Sequence, residues 1–281
     1  MSILRDQFTP ESLPYHIIVP SLPGYAFSSA PPLDCDFQLQ DVSRILNKLM
    51  TVLGFEGGYA VQGGDVGSKV ARVIAATYDA CKVSLLLNDT NPGVLTSNTV
   101  NFAIMQEPKN SIGTTDDIEE KGLERARQFQ KLESAYALIH ATKPATIGYV
   151  LAANPLSLLA WMGEKFLDWS DQDLPLDVIL EAVSLYWLTE TFPTSIYPYR
   201  QLFTPGVVGA HENPVWYIEK PKPLGYSYFP LEISPTPRSW VATTGNLVFH
   251  RQHHSGGHFA AVERPEVLLK DIEDFLTEFW P

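Results

Sequence analysis

The chain has 281 residues, 45% of them hydrophobic, and a formal net charge of −12 from 20 Lys+Arg against 32 Asp+Glu. This composition describes a globular protein of one large domain, or one domain carrying an insertion, and excludes a disordered or fibrous chain. The acidic balance, with no basic patch to override it, argues against a phosphate backbone as partner, and Cys35 and Cys81 fit neither a disulfide framework nor a zinc site.

In chain order, His16–Val19 is a short apolar run entering a Pro/Gly turn, Pro20-Ser-Leu-Pro-Gly-Tyr25, and is predicted to be a buried strand of a parallel sheet. Phe37–Leu53 carries apolar residues at helical spacing and stops at Gly54, a residue suited to ending a helix. Tyr59-Ala-Val-Gln62 predicts a second strand and Lys69–Thr77 a helix. Between them lies Gly63-Gly-Asp-Val-Gly67, three glycines around one carboxylate. Small residues beside a single reactive side chain suit a strained strand-to-helix turn, the nucleophile elbow, with Asp65 standing where serine hydrolases carry Ser. Asp65 as a simple helix N-cap is the competing reading.

Lys82–Asn88 predicts a third parallel strand, ending in Asp89-Thr-Asn-Pro-Gly93. From 94 to 218 the strand–helix alternation gives way to helical stretches at Ile118–His140, Ile147–Leu158 and Leu176–Thr189, with tryptophans at 161, 169 and 187. A helical cap over 94–218 is therefore expected on a core of 1–93 and 219–281. Gly225–Pro230 and Leu247–His253 are further strand candidates, and Pro265–Trp280 is a closing amphipathic helix. No window reaches the ~18 apolar residues of a membrane span, and no basic-then-apolar leader begins the chain, so a soluble, cytoplasmic protein is expected.

An elbow after an early strand, an acid after a later strand and a histidine near the end give the order nucleophile, acid, His. His258, in Ser255-Gly-Gly-His-Phe-Ala-Ala261, can lean from a Gly-rich loop towards the elbow, and Glu232 follows the preceding strand. The other histidines have plainer readings. His16, His250, His253 and His254 sit in or beside strands, and His140 and His211 lie in the cap. Asp89 is a competing acid, since related folds also place one after the strand that follows the elbow.

These segments resemble the microsomal-type epoxide hydrolases, most closely their soluble fungal members. The likeness rests on Val19-Pro-Ser-Leu-Pro-Gly-Tyr-Ala-Phe-Ser28, Gln62-Gly-Gly-Asp-Val-Gly67, Leu158-Leu-Ala-Trp-Met-Gly-Glu-Lys165, Phe229–Trp240 and Ser255–Ala261. The resemblance implies an α/β-hydrolase fold with a mostly parallel sheet and a helical cap. It matches Asp65 to the nucleophile, His258 to the general base, Glu232 to the acid orienting that base, and Tyr136 and Tyr199 to two cap tyrosines. Tyr197 is the alternative to Tyr199.

Attack by a carboxylate on an epoxide carbon forms an ester whose carbonyl belongs to the enzyme, and two phenols can donate to the oxygen released. Water activated by His258 then hydrolyses the ester to a vicinal diol, with no cofactor and with an apolar organic epoxide and water as the partners. The aromatic residues of the cap suit such a substrate, and a homodimer is possible on this reading. Relatives also carry a His-Gly-x-Pro turn and earlier strands, and no His-Gly dipeptide followed by Pro occurs here. The expectation is an N-terminally truncated member, its sheet lacking the first strands and its oxyanion hole keeping only the Val66 N–H. Two alternatives are a catalytically impaired homologue that binds a ligand or partner and a haloalkane dehalogenase with the same aspartyl ester.

Overall fold

The structure, a computed structural model, describes residues 1–87, 113, 115–202 and 213–281. Asp89, His211 and the first residues of the expected cap lie outside this set.

Helices α1 (Ser2–Gln7) and α2 (Leu39–Val52) precede strand β1 (Tyr59–Gly63), and α3 (Val66–Thr77) leads to β2 (Cys81–Leu87). Then come α4 (Asp117–Leu132), α5 (Ala135–Thr142), α6 (Pro144–Ala152), α7 (Pro155–Asp168), α8 (Leu176–Leu188), α9 (Phe192–Ser195) and α10 (Tyr199–Leu202). Strand β3 (Leu224–Tyr228), helix α11 (Arg238–Val241), strand β4 (Leu247–Gln252) and helices α12 (Ala260–Glu263) and α13 (Pro265–Phe279) follow.

The four described strands form one parallel sheet in the order β1-β2-β3-β4. Its two faces follow from the period-two alternation of a strand. Leu86 of β2 packs with Leu224, Tyr226 and the α2 and α3 residues Val42, Val70 and Ile74. Val83 and Leu85, one residue out of phase, pack with Phe249 of β4 and Phe275 of α13. Both faces are thus covered, which is why these strands read as continuous apolar runs.

Local signals fix the helix ends. A Gln38/Asp41 capping box opens α2. At its far end Gly54 (φ +90°) lets Phe55 N–H reach Met50 O at 2.9 Å and Gly54 N–H reach Thr51 O at 3.1 Å, a Schellman arrangement.

The expected strand at His16–Val19 does not form. The segment is coil, with Ile18 37% and Val19 72% exposed. β-Branched residues favour a strand only where a neighbouring strand supplies the ladder of hydrogen bonds, and among the described residues none pairs with this segment. The expected helix at Ile147–Leu158 is two helices bent by 115°, because Asn154 caps α7 through Leu156 N–H and Ser157 N–H and Pro155 occupies its first position. The Ile118–His140 stretch likewise breaks between α4 and α5. Helices α6 to α9 share a core of Ile147, Leu151, Leu158, Ile179, Val183 and Phe192. Among the described residues no single helix is long and apolar enough to cross a membrane.

Candidate active site

The turn after β1 holds Asp65 at φ 49°, ψ −126°, a positive φ that costs a non-glycine residue conformational energy and marks functional turns. Of its three glycines only Gly63 is sterically required. A Cβ there would lie 2.2 Å from Gly67 O, whereas one at Gly64 would make ordinary contact with Leu87 and one at Gly67 would meet open space. The crowding of this turn thus falls on Gly63. Asp65 occupies the N-cap position of α3, yet its side chain makes none of the hydrogen bonds of a helix cap, so capping does not account for it.

Asp65 faces His258 instead. The imidazole Nε2 stands 3.5 Å from Asp65 Oδ2, and Nδ1 stands 2.6 Å from Glu232 Oε1. His258 and Glu232 are buried, with side-chain exposures of 6% and 4%, while Asp65 is 48% exposed. The nucleophile position is therefore open to a small molecule and its partners are shielded.

Burial works against the charged ring of His258, but the Glu232 charge, the hydrogen bonds to Asp65 and Glu232, and the Asp65 charge raise its pKa to about 10. Asp65, exposed at its tip but otherwise surrounded by protein, is also partly desolvated, which opposes its ionisation. The hydrogen bond and charge of His258, with Lys69 and the Val66 N–H, outweigh it and hold the carboxyl below the ordinary range. Val66 N–H, the expected oxyanion donor, thus already contacts this carboxylate.

The loop carrying His258 is fixed from two directions. Its own N–H donates to Trp169 O at 2.9 Å. The buried Glu263 carboxylate accepts from Gly257 N–H at 3.2 Å, Phe259 N–H at 3.0 Å and Asp171 N–H at 2.6 Å. Asp171 in turn accepts from Gly256 N–H at 2.9 Å and from Arg264 at 2.7 Å. Glu232 is held by Ile233 N–H at 2.7 Å, and its carbonyl accepts from Arg125 of α4 at 3.0 Å. Nothing in the sequence singled out Glu263, because its contacts depend on how α12 folds back on the loop.

Tyr136 of α5 and Tyr199 of α10 meet with ring centroids 6.0 Å apart at 75° and share a hydrogen-bonding contact. Burial, foremost, and the charge of Asp65 raise both phenols, so they are neutral donors. Tyr197, the sequence alternative, makes no ring contact of this kind among the described residues, so Tyr199 is the member of that pair brought to Tyr136. Asp65, Val66, His258, Glu232, Tyr136 and Tyr199 are thus assembled in one place.

Two further tyrosines escaped sequence reading. Tyr25 and Tyr186 have ring centroids 6.5 Å apart, and the charge of Asp65 reaches both hydroxyls. Gly24 (φ +87°) and Ala26 (φ +42°) flank Tyr25, and Thr194 Oγ1 donates to Gly24 O at 2.6 Å while Ala26 N–H donates to Thr191 Oγ1 at 3.1 Å. The Pro-Gly-Tyr turn was the available signal. It read as a loop, and its aim into the site depends on contacts with residues far away in sequence.

The chain is similar in sequence and overall fold to known proteins. Residues 7–138 match the family model described as the alpha/beta hydrolase fold. The solved structure of Aspergillus niger epoxide hydrolase superposes with a TM-score of 0.85 at 45% identity, covering 99% of this chain and 67% of that one. A protein of Dothistroma septosporum described as a candidate epoxide hydrolase is 44% identical over 279 residues, 98% of this chain and 61% of that one. Epoxide hydrolase 1 of Sus scrofa is 33% identical over 284 residues, 93% of this chain and 60% of that one. The chain spans about three-fifths of the length of these curated relatives.

Proposed function

The chain belongs to the epoxide hydrolase family of the α/β-hydrolase fold, and we propose that it converts an apolar organic epoxide to a vicinal diol through a covalent ester on Asp65. The observation that carries this reading is the placement of the His258 ring between the Asp65 and Glu232 carboxylates, beside a pair of neutral phenols.

In this account an Asp65 oxygen attacks an epoxide carbon and the C–O bond of the ring breaks. Tyr136 and Tyr199 donate hydrogen bonds to the departing oxygen, which becomes the first hydroxyl of the product by taking up the proton that the His258 imidazolium gives up as the Asp65 charge disappears. The nucleophile needs no deprotonation, because the contacts that lower its pKa keep it ionised.

Esterification then removes the negative charge of Asp65. One of the two carboxylates that hold the proton on His258 is lost, and the ring becomes a better base at the step that needs one. The ring, now neutral, takes a proton from water, the hydroxide attacks the ester carbonyl, and Val66 N–H stabilises the oxyanion. Collapse releases the diol and regenerates the Asp65 carboxylate. Glu232 holds the ring and balances its positive charge.

The haloalkane dehalogenase reading has less support. A halide would be cradled by N–H donors, whereas the groups that gather near Asp65 are phenols. The test is incubation with a styrene-oxide-type epoxide and chromatography of the products. Diol formation that disappears in Asp65→Asn is expected. Halide release from haloalkanes without epoxide turnover would favour the alternative.

A further inference from the structure

Behind the two tyrosines lies a second layer of side chains with a regular origin. Trp161, Lys165 and Trp169 are spaced by four residues and so fall on one face of α7 and its C-cap, while Tyr136 and His140 are spaced by four along α5. The two stripes interlock. Trp169 lies 5.2 Å from the Tyr136 ring and 5.1 Å from His258, and His140 lies 5.5 Å from Tyr136 and 4.8 Å from Tyr199, edge to face. Lys165 Nζ sits 5.1 Å from the ring centroids of Tyr136 and Trp161 and 5.9 Å from that of Trp169.

The lysine is 13% exposed, and its ion-pair partner Glu164 is 60% exposed. The ammonium therefore meets aromatic faces on one side and donates to the exposed Glu164 carboxylate on the other. Surface ion pairing alone would not require this geometry, since a lysine normally keeps its ammonium in solvent. His140 does not compete as a cation, because burial, helped by Lys165, lowers its pKa to about 4.

On the reading of the site given above, we infer that Lys165 is a positioning residue for Tyr136: its ammonium, held at the ring face, makes the phenol a stronger donor to the oxygen released on epoxide opening. A cation over a π face favours the more electron-rich phenolate over the phenol and so opposes the groups that make ionisation harder. Those groups are the surrounding apolar packing and the carboxylates of Asp65 and Glu232, and the hydrogen bond with Tyr199 opposes them too.

The test replaces Tyr136 by a trifluorotyrosine, whose phenol titrates in an accessible range, and follows its fluorine resonance against pH in Lys165, Lys165→Met and Lys165→Arg proteins. Loss of the cation should raise the midpoint by about one pH unit (about 1.4 kcal/mol), and arginine should restore it. In single turnovers of the unfluorinated proteins with a styrene-oxide-type epoxide, Lys165→Met should slow ester formation about tenfold and leave ester hydrolysis unchanged. Equal midpoints in the Lys165 and Lys165→Met proteins would overturn the inference, and so would equal slowing of both steps. Lys165→Gln replaces the methionine variant if that does not fold. Wild-type protein that forms no ester would defeat the proposed reaction, and the fluorine titration would still decide the role of Lys165.

Discussion

His258 and Glu232 share a hydrogen bond of 2.6 Å, with both side chains almost wholly buried and Asp65 only 3.5 Å from the opposite ring nitrogen. Both carboxylates favour the imidazolium, Glu232 more strongly than Asp65. Removing either charge should lower the titration midpoint of His258, and Glu232→Gln should lower it further than Asp65→Asn. Proton NMR of the ring measures this directly, and unchanged midpoints would rule out the two-carboxylate account.

The same contacts set a dependence of stability on pH. The His258 pKa is raised on folding to about 10, so its contribution is fully present below its ordinary value of 6.5 and is lost as pH rises through about 10. The Asp65 pKa is lowered, so its contribution is present above 3.8 and is lost as pH falls below that. Chemical unfolding across pH should show the alkaline loss reduced in Glu232→Gln.

Tyr136→Phe and Tyr199→Phe remove one donor each from the departing oxygen. By comparison with oxyanion-hole deletions, each should slow ester formation roughly a hundredfold or more, about 2.7–4 kcal/mol. Hydrolysis of an ester already formed should change little, because these phenols act on the first step. Single-turnover mixing separates the two rates.

Glu263→Ala removes the acceptor for three backbone N–H groups around His258. Buried donors left without partners are costly, and the loss should be on the order of 3 kcal/mol by denaturant unfolding. Ester hydrolysis, which uses His258 as base, should fall more than ester formation.

Gly63→Ala and Gly67→Ala form a matched pair. The first places a methyl group 2.2 Å from a backbone oxygen and should prevent the turn from folding, while the second enters open space within α3 and should preserve stability or raise it by about 0.5–1 kcal/mol. Thermal melts of the two variants compare them directly.

Much of this site was legible because it rests on local patterns. The elbow glycines, the Gly-Gly setting of His258 and the strand–helix alternation each lie within a short window, and resemblance to a family supplied Tyr136 and Tyr199. What escaped depends on distant partners. His16–Val19 has strand-forming residues but no described strand to pair with, and Tyr25 is aimed by hydroxyls about 170 residues away in sequence. The break before α7 is different, since Asn154-Pro155 announces a helix start, and the apolar periodicity running across it concealed that signal.

The central claim, a covalent ester on Asp65, is tested most directly by one turnover in water enriched in oxygen-18, with protein in excess over a styrene-oxide-type epoxide. The account predicts an unlabelled diol, because its new oxygen comes from Asp65, and one oxygen-18 atom in the peptide that contains Asp65. Label found directly in the diol, with that peptide unlabelled, would contradict it.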